Sequence, residues 1–346
     1  MNAPFIRPDV RTIPSYVPGK RWPNVIKLSS NEVTHPPLPA AVTAMAEAAA
    51  GANRYPDMAA TELVTALAEH LGVEPSQVAV GCGSSALCQQ LVQITAGPGD
   101  EVIFPWRSFE AYPIFTQVTG ATPVPVPLDD AGRNDLVAMA AAVTERTRLI
   151  FVCNPNNPTG TVVGESEFLE FMAQVPDHII VALDEAYFEY VRADDTPIAT
   201  ELIGRFDNLV GLRTFSKAYG LAGVRVGYAC GHPAVIEALN KVALPFGVNA
   251  VAQAGAIASL NACDELLERT DEVVAQRDRV ATQLGAAMSE ANFVWLPLPD
   301  AQSVAAQLAE AGVIVRAFDE GLRITVTNQV ESDALLTAWK SLQERM

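Results

Sequence analysis

The chain has 346 residues, 49% of them apolar and 18% charged, which suits a globular protein of about two domains and excludes a disordered one. Asp+Glu number 40 against Lys+Arg 23, and the formal charge of −17 argues against nucleic acid or an anionic membrane as partner. The five cysteines (Cys82, Cys88, Cys153, Cys230, Cys263) are scattered without a C-x-x-C pair, so they read as buried thiols in a reducing compartment. The four histidines are isolated, so no metal site is expected. The chain shows neither a signal-peptide pattern nor an apolar run of membrane-spanning length, and cytoplasm is the expected location.

The stretch from Arg7 to Lys27 carries Pro8, Pro14, Pro18 and Pro23 and predicts an extended arm. Lys27-Leu-Ser-Ser-Asn-Glu32 follows. Leu38–Ala50 is alanine-rich and predicts a helix ended by Gly51, and Arg54-Tyr-Pro-Asp57 is a turn before a second helix over Ala59–Leu71. From Gln77 the pattern alternates strand and helix. Val78–Val80 is a strand, Gly81-Cys-Gly-Ser-Ser85 a turn of small residues, and Ala86–Thr95 a helix. Such a turn points backbone N–H groups and the helix dipole at one spot, an anion site in the making, although Gly and Ser also serve βα turns for geometry alone. Glu101–Phe104 is the next strand, and Pro105-Trp-Arg-Ser-Phe-Glu-Ala-Tyr112 leaves its carboxyl end, where ligands of open α/β sheets bind.

Strands over Ala121–Pro127 and Arg148–Cys153 bracket a helix at Leu136–Val143. Asn154-Pro-Asn-Asn-Pro-Thr-Gly160 is then a tight strand-end loop. His178-Ile-Ile-Val-Ala-Leu-Asp-Glu-Ala-Tyr187 is a buried strand ending in two carboxylates, and a carboxylate there needs a cation or a donor. A magnesium-binding strand end fails for want of a phosphate-loop motif. The apolar run Asn208–Phe215 leads into Ser216-Lys217, whose small and apolar surroundings would lower an ammonium's pKa and free the amine to attack a carbonyl, although the same residues also read as a solvated loop lysine beside a structural arginine. Eight residues on, Arg225 offers a fixed positive charge between Gly223 and Gly227, suited to phosphate. Helices are expected at Pro233–Asn240, Val251–Leu260 and Asp264–Met288, and short strands at Asn292–Leu296, Val313–Arg316 and Leu322–Val326.

Ser-Lys-x-x-Gly-Leu-Ala-Gly-x-Arg-x-Gly resembles the lysine segment of fold-type I aminotransferases dependent on pyridoxal 5'-phosphate (PLP). The wording is closest to the histidinol-phosphate aminotransferase group, and within it to the actinobacterial aromatic (phenylalanine) branch. Gly-Ser-Ser, Asn-Pro-Asn-Asn-Pro, Asp-Glu-Ala-Tyr and Leu-Arg-Ile-Thr match in family order, so the resemblance runs from Tyr16 to Arg323. Ser30-Asn-Glu32 is similar to the family's Ser-Asn-Glu entry to the active site, but members acting on histidinol phosphate often continue Asn-Pro-Tyr-Gly-Pro where this chain reads Val33-Thr-His-Pro-Pro37.

The resemblance implies an α/β PLP-dependent transferase type I fold, with a mostly parallel seven-stranded sheet in a large domain and a small α+β domain. The expected division is 1–50 for the arm and part of the small domain, 51–245 for the PLP-binding domain, and 246–346 for an interdomain helix and the small domain. It implies that Lys217 carries PLP covalently and moves the substrate proton. Asp184 would sit by the pyridine nitrogen and Asn157 and Tyr187 by the ring oxygen. Phe109 would stack on the ring, with Trp106 as the rival. Ser84, Ser85, Thr214, Ser216 and Arg225 would hold the phosphate, joined by Tyr55 from the neighbouring subunit of a homodimer. Tyr16, Asn157, Arg316 and Arg323 would meet the substrate, Arg323 clamping its carboxylate. The implied activity is amino transfer between an aromatic amino acid and a 2-oxo acid such as 2-oxoglutarate. Histidinol-phosphate transamination is the alternative, and another PLP reaction or a non-catalytic PLP-binding regulatory module are the remaining readings.

Overall fold

The computed structural model describes residues 4–14 and 25–344. Its strands, in chain order, are β1 (Ile26–Leu28), β2 (Val78–Gly81), β3 (Glu101–Trp106), β4 (Thr122–Pro127), β5 (Thr147–Cys153), β6 (Ile180–Asp184), β7 (Leu209–Thr214), β8 (Gly227–Gly231), β9 (Phe293–Pro297), β10 (Val313–Phe318) and β11 (Gly321–Thr325). Seven form the large sheet, in the order β2-β8-β7-β6-β5-β3-β4, and four the small sheet, in the order β1-β10-β11-β9. In the large sheet β8 runs antiparallel to both neighbours and every other pairing is parallel.

The central strands are apolar on both faces because helices cover both. Phe151 and Ala182 face one side, where Leu87, Leu91, Ile236 and Leu239 pack from helices Ser84–Thr95 and Pro233–Val242. Ile150, Val152, Val181 and Leu183 face the other, against Met139, Phe168, Phe171 and Ile203. The switch from one side to the other at each residue is the period of two that a pleated strand imposes.

The reversed strand matters for the site. Gly227 at the start of β8 pairs with Thr214 at the end of β7 and with Gly81 at the end of β2. The chain therefore leaves the rim at Thr214 and returns to it at Gly227, so Lys217 and Arg225 stay together. Gly227 must lack a side chain, since a Cβ there would lie 2.4 Å from Ser84 N.

In the small sheet β1 pairs parallel with β10, and β11 lies antiparallel between β10 and β9. Helix Cys263–Leu284 presents Val280, Ala281 and Leu284 to this sheet's core. It ends four residues before the expected Met288, closed by a bond from Ala286 N to Ala281 O (2.9 Å). Helix Pro39–Ala49 packs along helix Ala250–Leu260 and joins a core containing Leu63, Phe215 and Tyr228.

Helices Ala111–Thr119, Glu165–Met172 and Gln329–Gln343 and strand β8 had no counterpart among the expected elements. The first contains Pro113, which reads as a breaker but sits in the opening turn, where a missing N–H is tolerated. The expectation of buried thiols holds for Cys88, Cys153 and Cys230, whereas Cys82 and Cys263 are exposed. Among the described residues no helix is long and apolar enough to cross a membrane.

Candidate active site

The carboxyl ends of β3, β5, β6 and β7, the start of β8, the segment after β1 and strands β10 and β11 surround a cavity of about 510 Å³. Ser84 and Ser85 enter it from the first turn of helix Ser84–Thr95, whose N-cap Gly83 supplies no capping side chain. The free N–H groups of that turn and the helix dipole favour an anion. Arg225 crosses the same point, and a Cβ on Gly83 (φ 77°) would lie 2.4 Å from its Nη2. Its Nη1 donates to Ser216 Oγ (3.2 Å) and to Ala222 O (2.9 Å), and Thr214 Oγ1 accepts from Ser216 N (3.1 Å). Amides, hydroxyls and one guanidinium thus converge on a single small volume.

Asp184 ends β6 deep in the cavity. Its Oδ2 accepts from the Tyr112 hydroxyl (2.7 Å) and its Oδ1 from Ala186 N (3.2 Å). Burial pushes the carboxyl up to about 6, while the hydrogen bonds from Tyr112 and Ala186 pull the other way. Tyr112 was not foreseen. It is fully buried, stacks on Phe151 with centroids 4.4 Å apart, and meets the edge of Phe109 at 5.4 Å. Phe109 lines the cavity, whereas Trp106 packs beneath the Arg107 guanidinium (4.6 Å to the centroid).

Lys217 follows β7 and donates from Nζ to Ser30 O at 3.3 Å. Burial, then the guanidiniums of Arg323 and Arg225, lower its ammonium to about 8, with Glu32 and Asp184 opposing. Only the neutral amine attacks a carbonyl. In cofactor-free protein, the rate at which Lys217 captures an aldehyde such as PLP should therefore rise with pH and level off above about 8, measured by stopped-flow absorbance. A flat profile from pH 6 to about 9 would contradict the lowered pKa.

Tyr187 lies beside Lys217, Nζ being 5.9 Å from its ring centroid, and its hydroxyl accepts from Asn31 Nδ2 (2.8 Å). Asn157 Oδ1 accepts from Arg323 Nη1 (2.6 Å), and Arg323 Nη2 donates to Ser29 O (2.7 Å). Arg316 pairs directly with Arg323 across β10 and β11, so both guanidiniums share a face, and Arg316 Nη2 donates to Glu110 Oε2 (2.8 Å). The segment Ser29–Glu32 thus supplies cavity contacts of its own.

One expected site residue lies away from the cavity of its own chain. Tyr55 is 81% exposed and stacks on Phe246 with centroids 4.5 Å apart. Tyr16 falls outside the described residues.

A family model described as aminotransferase class I and II matches residues 23–338. The chain belongs to this family. The aromatic amino acid aminotransferase of Corynebacterium diphtheriae is 70% identical over 97% of this chain and 98% of that protein. The one from Rhodococcus jostii is 58% identical, covering 99% of this chain and 97% of its own. The crystal structure of histidinol-phosphate aminotransferase from Sinorhizobium meliloti with pyridoxal-5'-phosphate superposes with a TM-score of 0.88 at 29% identity, over 97% of this chain and 98% of that one.

PLP is the cofactor of this family of enzymes. The cavity of this aminotransferase suits the group on two observations. The Arg225 guanidinium packs against Gly83, where a Cβ would block it, and together with the N–H groups of the helix's first turn it suits a dianion beside Ser84 and Ser85. The buried Asp184 carboxyl, bonded only to uncharged donors among the described contacts, is short of a cation that a protonated ring nitrogen would provide.

Proposed function

We propose that this aminotransferase moves an amino group between an aromatic amino acid (phenylalanine, tyrosine or tryptophan) and a 2-oxo acid such as 2-oxoglutarate. The observation that carries the aromatic reading is the cavity's lining, to which Phe109, Ile114, Phe115 and Phe318 supply large apolar surface. Of the three guanidiniums near Phe318, Arg316 is paired with Glu110 (2.8 Å) and Arg107 with Glu320 (3.1 Å), while Arg323 donates to Asn157 and Ser29. An aromatic ring on the substrate displaces only water from this apolar surface. The naming of the Corynebacterium and Rhodococcus relatives supports the same reading.

Ser84, Ser85, Thr214, Ser216 and Arg225 hold the cofactor phosphate, Phe109 covers the ring face, and Asp184 meets the ring nitrogen. Asn157 and Tyr187 meet the ring oxygen. Arg323 clamps the substrate carboxylate, a task its planar fork performs and a lysine does not. Arg316 is a second substrate contact. Bound PLP supplies an electron sink for the pair left at the substrate Cα. Lys217 Nζ would hold the cofactor and, as the neutral amine, would take the Cα proton. Tyr55 reaches the phosphate site of a second copy, making the working unit a homodimer. Its exposed ring and the neighbouring exposed Met58 and Leu244 are apolar surface of the kind a second copy covers.

Rapid mixing of PLP-loaded enzyme with phenylalanine, and separately with histidinol phosphate, tests the substrate. Loss of the lysine-bound cofactor absorbance is expected to be fast with phenylalanine and slow with histidinol phosphate. The reverse order would assign the enzyme to histidinol phosphate, and no response to either would remove both.

A further inference from the structure

Asn31 is buried and adopts left-handed backbone (φ 55°), which asparagine tolerates better than most residues. Its N–H donates to Thr325 Oγ1 on β11 (2.9 Å), and its carbonyl accepts from Asn292 Nδ2 (3.2 Å). Its side chain lies between two hydroxyls, Oδ1 at 3.1 Å from Thr325 Oγ1 and Nδ2 at 2.8 Å from Tyr187.

The direction of these bonds follows from the proton count. Thr325 is fully buried and its hydroxyl carries one proton, for which Asn31 Oδ1 is the acceptor among the described contacts. Turning the amide round would set two donors against Thr325 and leave that buried proton without a partner, an arrangement native interiors avoid. Asn31 Nδ2 therefore donates to Tyr187. The Tyr187 oxygen is occupied as an acceptor on that side, and its own proton points away from Asn31, toward the cavity that Tyr187 lines.

We infer that Asn31, locked by Thr325, is a positioning residue that holds the Tyr187 hydroxyl as a proton donor toward the ring oxygen of the bound cofactor. The inference rests on the proposed placement of Tyr187 at that oxygen. Neighbouring contacts reinforce the lock, because the same segment gives Ser30 O to Lys217 and Ser29 O to Arg323. A donor at the ring oxygen stabilises its anion, so it lowers the pH at which the lysine-bound cofactor loses its shared proton.

The test is a spectrophotometric pH titration of PLP-loaded protein without substrate. Asn31→Asp keeps the shape but can only accept, so Tyr187 turns its proton to residue 31. The midpoint is expected to rise by about one pH unit, the value of one such hydrogen bond. Tyr187→Phe should rise likewise, and the double variant should stand no higher than Tyr187→Phe alone. If the Asn31→Asp shift is absent, or adds in full to that of Tyr187→Phe as a through-space charge effect would, the inference is overturned. If Tyr187→Phe itself leaves the midpoint unmoved, the placement of Tyr187 fails and the inference with it. Should Asn31→Asp not fold, Thr325→Val and Thr325→Ser take its place. The valine variant should raise the midpoint and the serine variant retain it, and equal midpoints for Thr325→Val and the parent protein overturn the inference.

Discussion

Replacing Lys217 with alanine is expected to lower kcat for phenylalanine transamination roughly 10⁴-fold, the upper end of what a positioned proton-transfer group supplies. Lys217 carries the one primary amine among the residues lining the cavity, and the nearby Lys27 is paired with Glu32. Nothing else described there combines a pKa near 8 with the freedom to gain and lose a proton. The cofactor should stay bound through the amides around Ser84, Ser85 and Arg225, but borohydride should no longer fix it to the protein, as read by intact-mass spectrometry. Lys217→Arg should not rescue the rate, because a guanidinium keeps its proton at every working pH. Ordinary turnover by Lys217→Ala would remove the catalytic assignment.

Asp184→Asn carries the second-largest effect and separates function from stability. Losing the charge opposite the ring nitrogen is expected to lower kcat about 10²–10³-fold, as for other preorganised electrostatic partners. The cofactor-free protein should change in the other direction. Burial raises the folded-state pKa of Asp184 to about 6, above the ordinary value of 3.8. A raised carboxyl contributes stability that is full below the unfolded pKa and is lost as pH climbs through the folded one. Near pH 7 the ionised group therefore costs the empty fold on the order of 1–3 kcal/mol, a cost the neutral amide does not carry. Urea denaturation of cofactor-free protein should show Asp184→Asn more stable than the parent near pH 7, with the gap closing toward pH 4. A gap that stays constant with pH would mean that ionisation of Asp184 is not its source.

Much of this was legible in the chain because the large sheet places chemistry at strand ends. An apolar run that stops on a carboxylate, as at Asp184, or on Ser216-Lys217, announces a polar group held at a buried rim. Arg225, Asn157 and Arg323 were found through their motif neighbours and do line the cavity. Asn31 was reached only as part of the Ser-Asn-Glu entry to the active site, without its role, and Tyr112 was not reached at all, for a physical reason. Each acts through a hydrogen bond to a residue more than 70 positions away, Tyr112 to Asp184 and Asn31 to Tyr187. Neither segment has a local pattern that reports such a partner. Strand β8 was missed because it begins and ends on glycine, Gly227 for close contact with the helix start at Ser84 and Gly231 against Leu209 and Val210 of β7, which breaks the composition expected of a strand. The pairing of Arg107 with Glu320 and Arg316 with Glu110 needed three dimensions as well, since it joins the chain after β3 to the β10–β11 hairpin.

The order of the strands also sets when the protein can acquire its cofactor during synthesis. β1 finds its pairing partner in β10, with Ile26 opposite Val313, and β2 finds its own in β8, with Val78 opposite Cys230. Contacts between segments so far apart in sequence form late and slowly. A nascent chain that has extruded Lys217 still lacks Arg225, the strand behind Ser84, and the hairpin bearing Arg323. The segment Ser29–Glu32 meanwhile has no anchor until Thr325 has been made. The cavity that would hold PLP is therefore assembled only after the β10–β11 hairpin exists.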